Sequence, residues 1–599
     1  MSSIKRPAHI LKREKTLTIP RHLIFFDTET TQDEIANQTI QQRLRMGWSV
    51  YYRRPYGRHR ERIEWFYFTK ASVFWQFVFS RVLPKQRLWI IARNIVFDFT
   101  VCSGWVYLRD AGYKLKFFHN NGVTAIVTVV KGDKSIVFLD SMNWFPESIE
   151  ATGKRIGILK GKIDFDTCTE QELSDYCRND TLIELENFRQ FIHFLESNTI
   201  ARLCYTRAST SMAAYLLRHY HVPIYIHNNA EAIRLEREAY KGGRCECFYI
   251  GELENGPYYI LDVNSLYPFV MRNNAYPAKY EAIMHNVRLQ ECRSILETRA
   301  IVAKVRVNTD EPIYAIRDKR TIFPIGKFDA TLCTPELKYA FEHNHIEKVY
   351  DVVVYEQGSI FTSYVDTLYR LRQRFKAANN HTYEQLCKYM LNSLYGKFGQ
   401  KAENWVKIKE CPNEPDHEIM YFCNNPRKII KQRYLLGQLF ELKSYGESFD
   451  SFPAIAAHVT SFGRMYLWKL MGIAGVGNYF YCDTDSLIVN EVGRWNLASL
   501  ENDIEIGYLK CQETFSKLII RGLKDYTTGA KNVIKGIRKN ALALSPTTYR
   551  QQSWPTFKGL LKSGDANTYT VKNVVKHLSR EYTKGTVTEK GIIKPFVLE

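Results

Sequence analysis

Short apolar runs that stop at acidic residues recur along the chain. Leu23-Ile-Phe-Phe26 runs into Asp27-Thr-Glu29, Tyr259-Ile-Leu261 into Asp262, and Tyr481-Cys482 into Asp483-Thr-Asp485. Apolar runs this short, bounded by polar residues, read as buried strands, and each predicts carboxylates delivered at a strand end. Asp27 and Glu29, two residues apart, would project on the same side. Leu88-Trp-Ile-Ile91 reads as another strand, followed by Asn94-Ile-Val-Phe-Asp98, in which Asn94 and Asp98 would share a helix face. Thr169 and Glu172 form a capping-box pair that opens an amphipathic helix through Leu195, with Tyr176 and Asp180 on one face. Lys388-Tyr-Met-Leu-Asn392-Ser-Leu-Tyr-Gly396 also has helical spacing. It puts Lys388 and Asn392 on one face and Tyr395 one turn later, a face suited to a triphosphate and a base.

The chemistry follows from the residue types. Clustered carboxylates without histidine or cysteine are what hard divalent cations prefer, and in-line attack on a triphosphate needs such cations on the attacking and leaving oxygens. Asp262, Asp483 and Asp485 form one such set. Asp27, Glu29, Asp98 and Asp180 arrive from three elements as a second, with the Tyr176 phenol beside the last.

Composition narrows the partners. The 599 residues suffice for several domains, and Lys plus Arg exceed Asp plus Glu by 83 − 63 = 20. Residues 510–599 alone carry 17 basic and 6 acidic residues, which reads as a grip on a polyanion. Among the 13 cysteines only Cys245 and Cys247 are closely spaced, which excludes a disulfide framework or zinc site and points to a reducing cytosol. No uncharged apolar run approaches a membrane span, so no membrane partner is expected. The N-terminus lacks a signal-peptide core. Its Lys5, Arg6, Lys12, Arg13, Lys15 and Arg21 against Glu14 alone predict a solvated basic tail, with a transit segment as the alternative.

In this order, the strings Tyr259–Pro268, Lys388–Gly396 and Tyr481–Leu487 resemble motifs A, B and C of family B DNA polymerases. The upstream acids resemble the Exo I, II and III motifs of DnaQ-type 3′–5′ exonucleases. Tyr240-Lys-Gly242-Gly243, Thr460-Ser-Phe-Gly-Arg464 and Lys524-Asp-Tyr526 are similar to elements of the protein-primed viral and plasmid subgroup. The resemblance implies an α/β and α+β multidomain fold: an RNase H-like exonuclease domain followed by palm, fingers and thumb with two terminal-protein-region insertions. The expected division is a basic tail over 1–22, exonuclease 23–203, palm 204–274 and 451–545, first insertion 275–362, fingers 363–400, second insertion 401–450 and thumb 546–599.

The resemblance also assigns roles. Asp262 and Asp485 would be the principal metal ligands of synthesis, with Val263 among the ligands and Asp483 in support. Lys376 and Lys388 would clamp the triphosphate, and Asn392 and Tyr395 line the nucleotide pocket. Tyr267 would stack under the sugar and exclude a 2′-hydroxyl. Asp27, Glu29, Asp98 and Asp180 would hold the editing metals, with Tyr176 orienting water and Lys160 supporting catalysis. DNA contacts would come from Thr30, Asn94, Phe97, Ser141, Met142, Tyr240, Gly242, Gly243, Ser265, Thr460, Arg464, Thr484, Lys524 and Tyr526.

The expected cofactor is Mg²⁺ or Mn²⁺, two ions per site, and the expected partners are primer-template DNA, dNTPs and a terminal priming protein. The expected setting is host cytoplasm for a viral chain and the mitochondrion for one from a linear plasmid. Two alternatives stand beside this reading: a family B polymerase primed by nucleic acid or de novo, and a non-catalytic DNA-binding replication scaffold.

Overall fold

The computed structural model describes residues 6–35, 39–424 and 427–599; Lys5 of the expected tail lies outside the described residues. The N-terminal region is built on strands His22–Ile35, Arg87–Ala92 and Lys134–Asp140, which run parallel with Leu23 beside Trp89 and Trp89 beside Val137. These strands are apolar on both faces because both are covered. Helix Glu170–Ser197, opened by the Thr169 capping box, lies on one side with Leu185, Phe188 and Phe191 buried. Phe74, Trp75, Phe99 and Trp105 fill the other.

A five-stranded antiparallel sheet carries the later acids, in the order Cys245–Cys247, Tyr479–Asp483, Ser486–Asn490, Tyr258–Val263, Leu509–Phe515. The apolar helix Pro453–Ala474 backs it, most of its residues buried. Helices Thr362–Ala377 and His381–Leu391 form a pair that packs Phe375 and Tyr383 on Phe194 of the N-terminal region. Strands Lys401–Glu410, His417–Asn424, Arg427–Leu435 and Gln438–Glu447 form a separate four-stranded antiparallel sheet.

The segment between Asn274 and Phe361 forms the centre of a seven-stranded sheet whose two edges are chain ends: His9–Ile10 and Val597–Leu598. This corrects the expectation of a solvated tail. Arg6 is buried and donates to the carbonyls of Ser451 (2.6 Å), Ser448 and His227, while Leu11 and Ile19 enter the core. Apolar residues between the charges, which net charge cannot register, bring the segment inside.

The C-terminal region, expected as a thumb over 546–599, packs on the N-terminal sheet. Tyr569–His577 pairs with Thr39–Arg53, Ile40 opposite Val571, and Phe557 meets Phe99 edge-on at 5.3 Å. Its apolar positions find their core on the N-terminal sheet.

Candidate functional site: two carboxylate centres

The first centre sits where the parallel strands end. Asp27 and Glu29 lie on His22–Ile35, Asp98 on helix Ile95–Val101 and Asp180 on the long helix. Asp98 is 1% exposed and accepts the Thr28 hydroxyl at 2.7 Å. Burial, then the charges of Asp98, Asp180 and Glu29, holds the Asp27 carboxyl well above the usual range. Burial does the same for Asp98, and Glu29 is pushed up to about 7 by burial and Asp180. Lys160 is the internal counter-charge: its ammonium pairs with Asp180 at 2.6 Å and lies 4.8 Å over the Tyr176 ring.

Oxygens of Asp27 and Glu29 and the sulfur of Cys177 lie within 4.8 Å of one another. Burial keeps that thiol protonated, and it donates to the Asp27 carbonyl at 3.3 Å, so the carboxylates are the available ligands. Thr28 and Cys177 were missed from the sequence. Their only signal was adjacency, one between the two strand acids and the other three residues before Asp180.

Asn94 does not join the helix. It caps it in the left-handed region (φ 59°), where Asp140 accepts the Asn94 and Ile95 amides at 3.3 and 3.1 Å. The Thr30 hydroxyl donates to Gln42 at 2.6 Å. Ser141 is fully buried and donates to Glu184, so its expected strand-binding role has no exposed hydroxyl behind it. Met142, next to it, lines a cavity of about 1290 Å³ that also takes in Arg21, Trp89, Tyr205, Arg207 and Lys397.

The second centre is formed by pairing. Asp262 stands at the end of Tyr258–Val263 in register with Ser486, and the Val263 amide donates to the Asp485 carbonyl at 2.7 Å. The tight turn Asp483-Thr484-Asp485 needs Thr484 in the left-handed region (φ 65°). Burial and the charges of Asp262 and Asp483 push the Asp485 carboxyl up to about 7. Burial raises Asp262, opposed by Lys388 and Lys510. Lys524 pairs with Asp483 at 2.9 Å, and the Tyr526 ring lies 5.2 Å from Tyr481.

Tyr267 is boxed in. Its ring is 4.7 Å from Tyr395, and a Cβ on Gly243 would come within 2.9 Å of its hydroxyl and of Thr484. Glycine there lets the Tyr240-Lys-Gly-Gly loop approach both acid motifs, and the Thr484 amide donates to Arg244.

The charge of Lys388 acts on the Asp262 carboxyl, and Asn392 caps the end of its helix, the Asn392 amide and side-chain nitrogen both donating to the Lys388 carbonyl; Asn392 also lines the cavity while Tyr395 meets Tyr267. Lys376 is exposed, whereas Arg372, one turn earlier and missed from the sequence, donates to Ser265 at 3.1 Å. Ser265 itself is left-handed (φ 56°).

Thr460 and Arg464, expected as DNA contacts, are held by internal partners in this structure. Both are buried; Thr460 donates to the Ala456 carbonyl, and Arg464 pairs with Glu336 at 2.6 Å and donates to the Gly242 carbonyl at 2.6 Å. They bracket the glycine loop rather than present a surface, because their helix face is turned into the core.

Known proteins resemble this chain in sequence and in fold. Residues 164–458 match the family described as DNA polymerase type B, organellar and viral. A probable DNA polymerase of Podospora anserina is 25% identical over 559 residues, 78% of this chain and 44% of the relative. The DNA-directed DNA polymerase of Enterobacteria phage PRD1 is 25% identical over 415 residues, 67% of this chain and 68% of the relative. The chain thus spans less than half the length of the Podospora relative. The structure of Phi29 DNA polymerase complexed with primer-template DNA and incoming nucleotide superposes with a TM-score of 0.65 at 17% identity, covering 94% of this chain and 100% of that one. The segment matched by the family description holds Asp180, Asp262 and Lys388, and the fold is similar to that of Phi29 DNA polymerase along nearly the whole length.

Proposed function

We propose that the protein is a DNA-directed DNA polymerase with a 3′–5′ exonuclease on the same chain, acting on a linear viral or plasmid genome. The observation that carries this is the seating of Asp262 at a strand end beside the Asp483-Thr484-Asp485 turn, with the charge of Lys388, on the helix pair, acting on Asp262. The donor sets fit divalent cations: buried oxygen ligands held above their usual range are relieved by a hard cation. Asp262, Asp485 and the Val263 carbonyl would hold Mg²⁺ or Mn²⁺ in the second centre, and Asp27, Glu29, Asp98 and Asp180 in the first. Two ions in each centre, when bound, would polarise phosphoryl oxygens and ease deprotonation of the attacking group.

The chain's own residues supply the rest. Arg372, Lys376 and Lys388 offer positive charge to a triphosphate, Tyr267 stands under the sugar, and Lys524 and Tyr526 steady the primer end. In the first centre Lys160 and Tyr176 would orient water beside Asp180. The cavity's arginines and rings suit a single-stranded template, a route for displacing the other strand.

Initiation on a terminal protein belongs to the same proposal. Support comes from the two β-rich units inserted on either side of the helix pair, and from the exposed hairpin Ile316–Ile322, which carries Arg317, Lys319 and Arg320. The deciding experiment is primer extension with Mg²⁺: parental enzyme should extend and Asp262→Ala should not. Labelled dNTP with a candidate priming protein should then give a nucleotide–protein adduct. Replacing the three basic residues with Ala should reduce the adduct and spare primed extension.

A further inference from the structure

The C-terminal region brings rings and a cation to the mouth of the first centre. Phe97, next to Asp98, meets Tyr569 edge-on at 5.0 Å and Trp554 at 6.0 Å. Tyr569 is buried and its hydroxyl donates to the Pro555 carbonyl at 3.4 Å, which is packing. Trp554 differs: 37% of its surface is open, and the Arg538 guanidinium lies 5.9 Å over its ring.

Arg538 belongs to the segment that leaves the second centre. Lys524, paired with Asp483, accepts the Lys535 amide on its carbonyl at 2.8 Å, and Asp525–Thr527 pairs with Asn532–Ile534. The Arg538 amide then donates to Gln551 at 2.8 Å, on the strand that leads to Trp554. Stepwise contacts thus link Lys524, Lys535, Arg538, Trp554 and Phe97 between Asp483 and Asp98. An open indole beside an exposed cation offers an unstacked base a face and its phosphate a charge.

We propose that Trp554, with Arg538 over its ring, is a stacking step that receives the frayed 3′ end of the primer as it passes from the second centre to the first. Trp554 is on this view a positioning residue, and the proposal rests on reading the first centre as an exonuclease. The test uses the full chain, Mg²⁺ and a 5′-labelled primer-template with mismatched terminal nucleotides, beside a matched one. Trp554→Ala should remove mismatched ends about tenfold more slowly, through KM rather than kcat, with matched extension and melting temperature unchanged. Trp554→Phe should recover most of the loss. Arg538→Ala, an exposed change that leaves folding intact, should slow the same step.

Parental rates in both alanine variants would overturn the proposal, as would equal slowing of extension and mismatch removal. Asp27→Ala with Glu29→Ala runs in parallel. If that pair still removed mismatched ends, the exonuclease reading would fall first; if it did not, an unaffected Trp554→Ala would sink the stacking step alone.

Discussion

The two acid centres solve the same electrostatic problem differently. The first gathers four carboxylates from three elements of one region and carries its own counter-charge, Lys160 on Asp180. The second gathers its acids on one sheet, where Lys510 stands opposite Asp262, and takes further cations from other elements: Lys388 from the helix pair and Lys524 from the turn before Asp525–Thr527. On the proposed function, the first centre only has to take a flexible strand end and can keep its counter-charge fixed. The second would admit a triphosphate between its acids and a cation carried by the helix pair, so that the ligand completes the neutralisation.

Separate substitutions are the strongest way to break this comparison. Asp262→Ala or Asp485→Ala should lower primer extension by about 10³-fold or more while leaving degradation of single strands near parental. Asp27→Ala with Glu29→Ala should do the reverse. Loss of both activities in either case, measured on one labelled primer, would mean that the centres are not independent.

The packed scaffold of the second centre gives the next effect. Arg464→Ala leaves Glu336 buried without its partner, and unfolding by denaturant should show a loss of about 3–5 kcal/mol. Arg464→Met, which still strands Glu336, should do little better, whereas replacing both residues with apolar ones should recover much of the loss. A stable Arg464→Ala protein with weakened DNA binding would restore the surface role expected from sequence.

Acid–base linkage sharpens the contrast further. Glu29 and Asp485, both pushed up to about 7, bind protons in the fold that the unfolded chain has already released. Without metal, stability should therefore fall as pH rises from about 4.5 through about 7 and stay low above it. Mg²⁺ should raise the melting temperature more at pH 8 than at pH 5, where it competes with protons. A metal effect independent of pH would argue against these acids as ligands.

The smallest effect concerns the sugar. Tyr267→Val opens the box made by Tyr395 and Gly243, and the ratio of catalytic efficiencies for dNTP and rNTP should drop by about tenfold. An unchanged ratio would remove Tyr267 as the gate.

What the sequence determined alone was local. The strands that carry Asp27, Asp262 and Asp483 and the helix capped by Thr169 were legible because apolar runs, period and capping chemistry are properties of neighbouring residues, although the first strand runs on past its acids to Ile35. The acids were legible for the same reason, and their order along the chain carried the resemblance. Tertiary structure decided what neighbours cannot encode. Thr460, Arg464 and Ser141 read as contacts for DNA, but the helix face or strand end that holds each is buried, and burial depends on what packs from hundreds of residues away. Residues 1–22 read as a tail and 546–599 as a thumb, and from these stretches His9–Ile10 and Val597–Leu598 are edge strands of one sheet, because an unpaired edge takes its hydrogen bonds from whichever segment the fold brings alongside. Arg372 on Ser265 and Trp554 beside Phe97 have no signal in spacing at all. Each pair is made by long-range packing between residues more than a hundred positions apart, which periodicity cannot see.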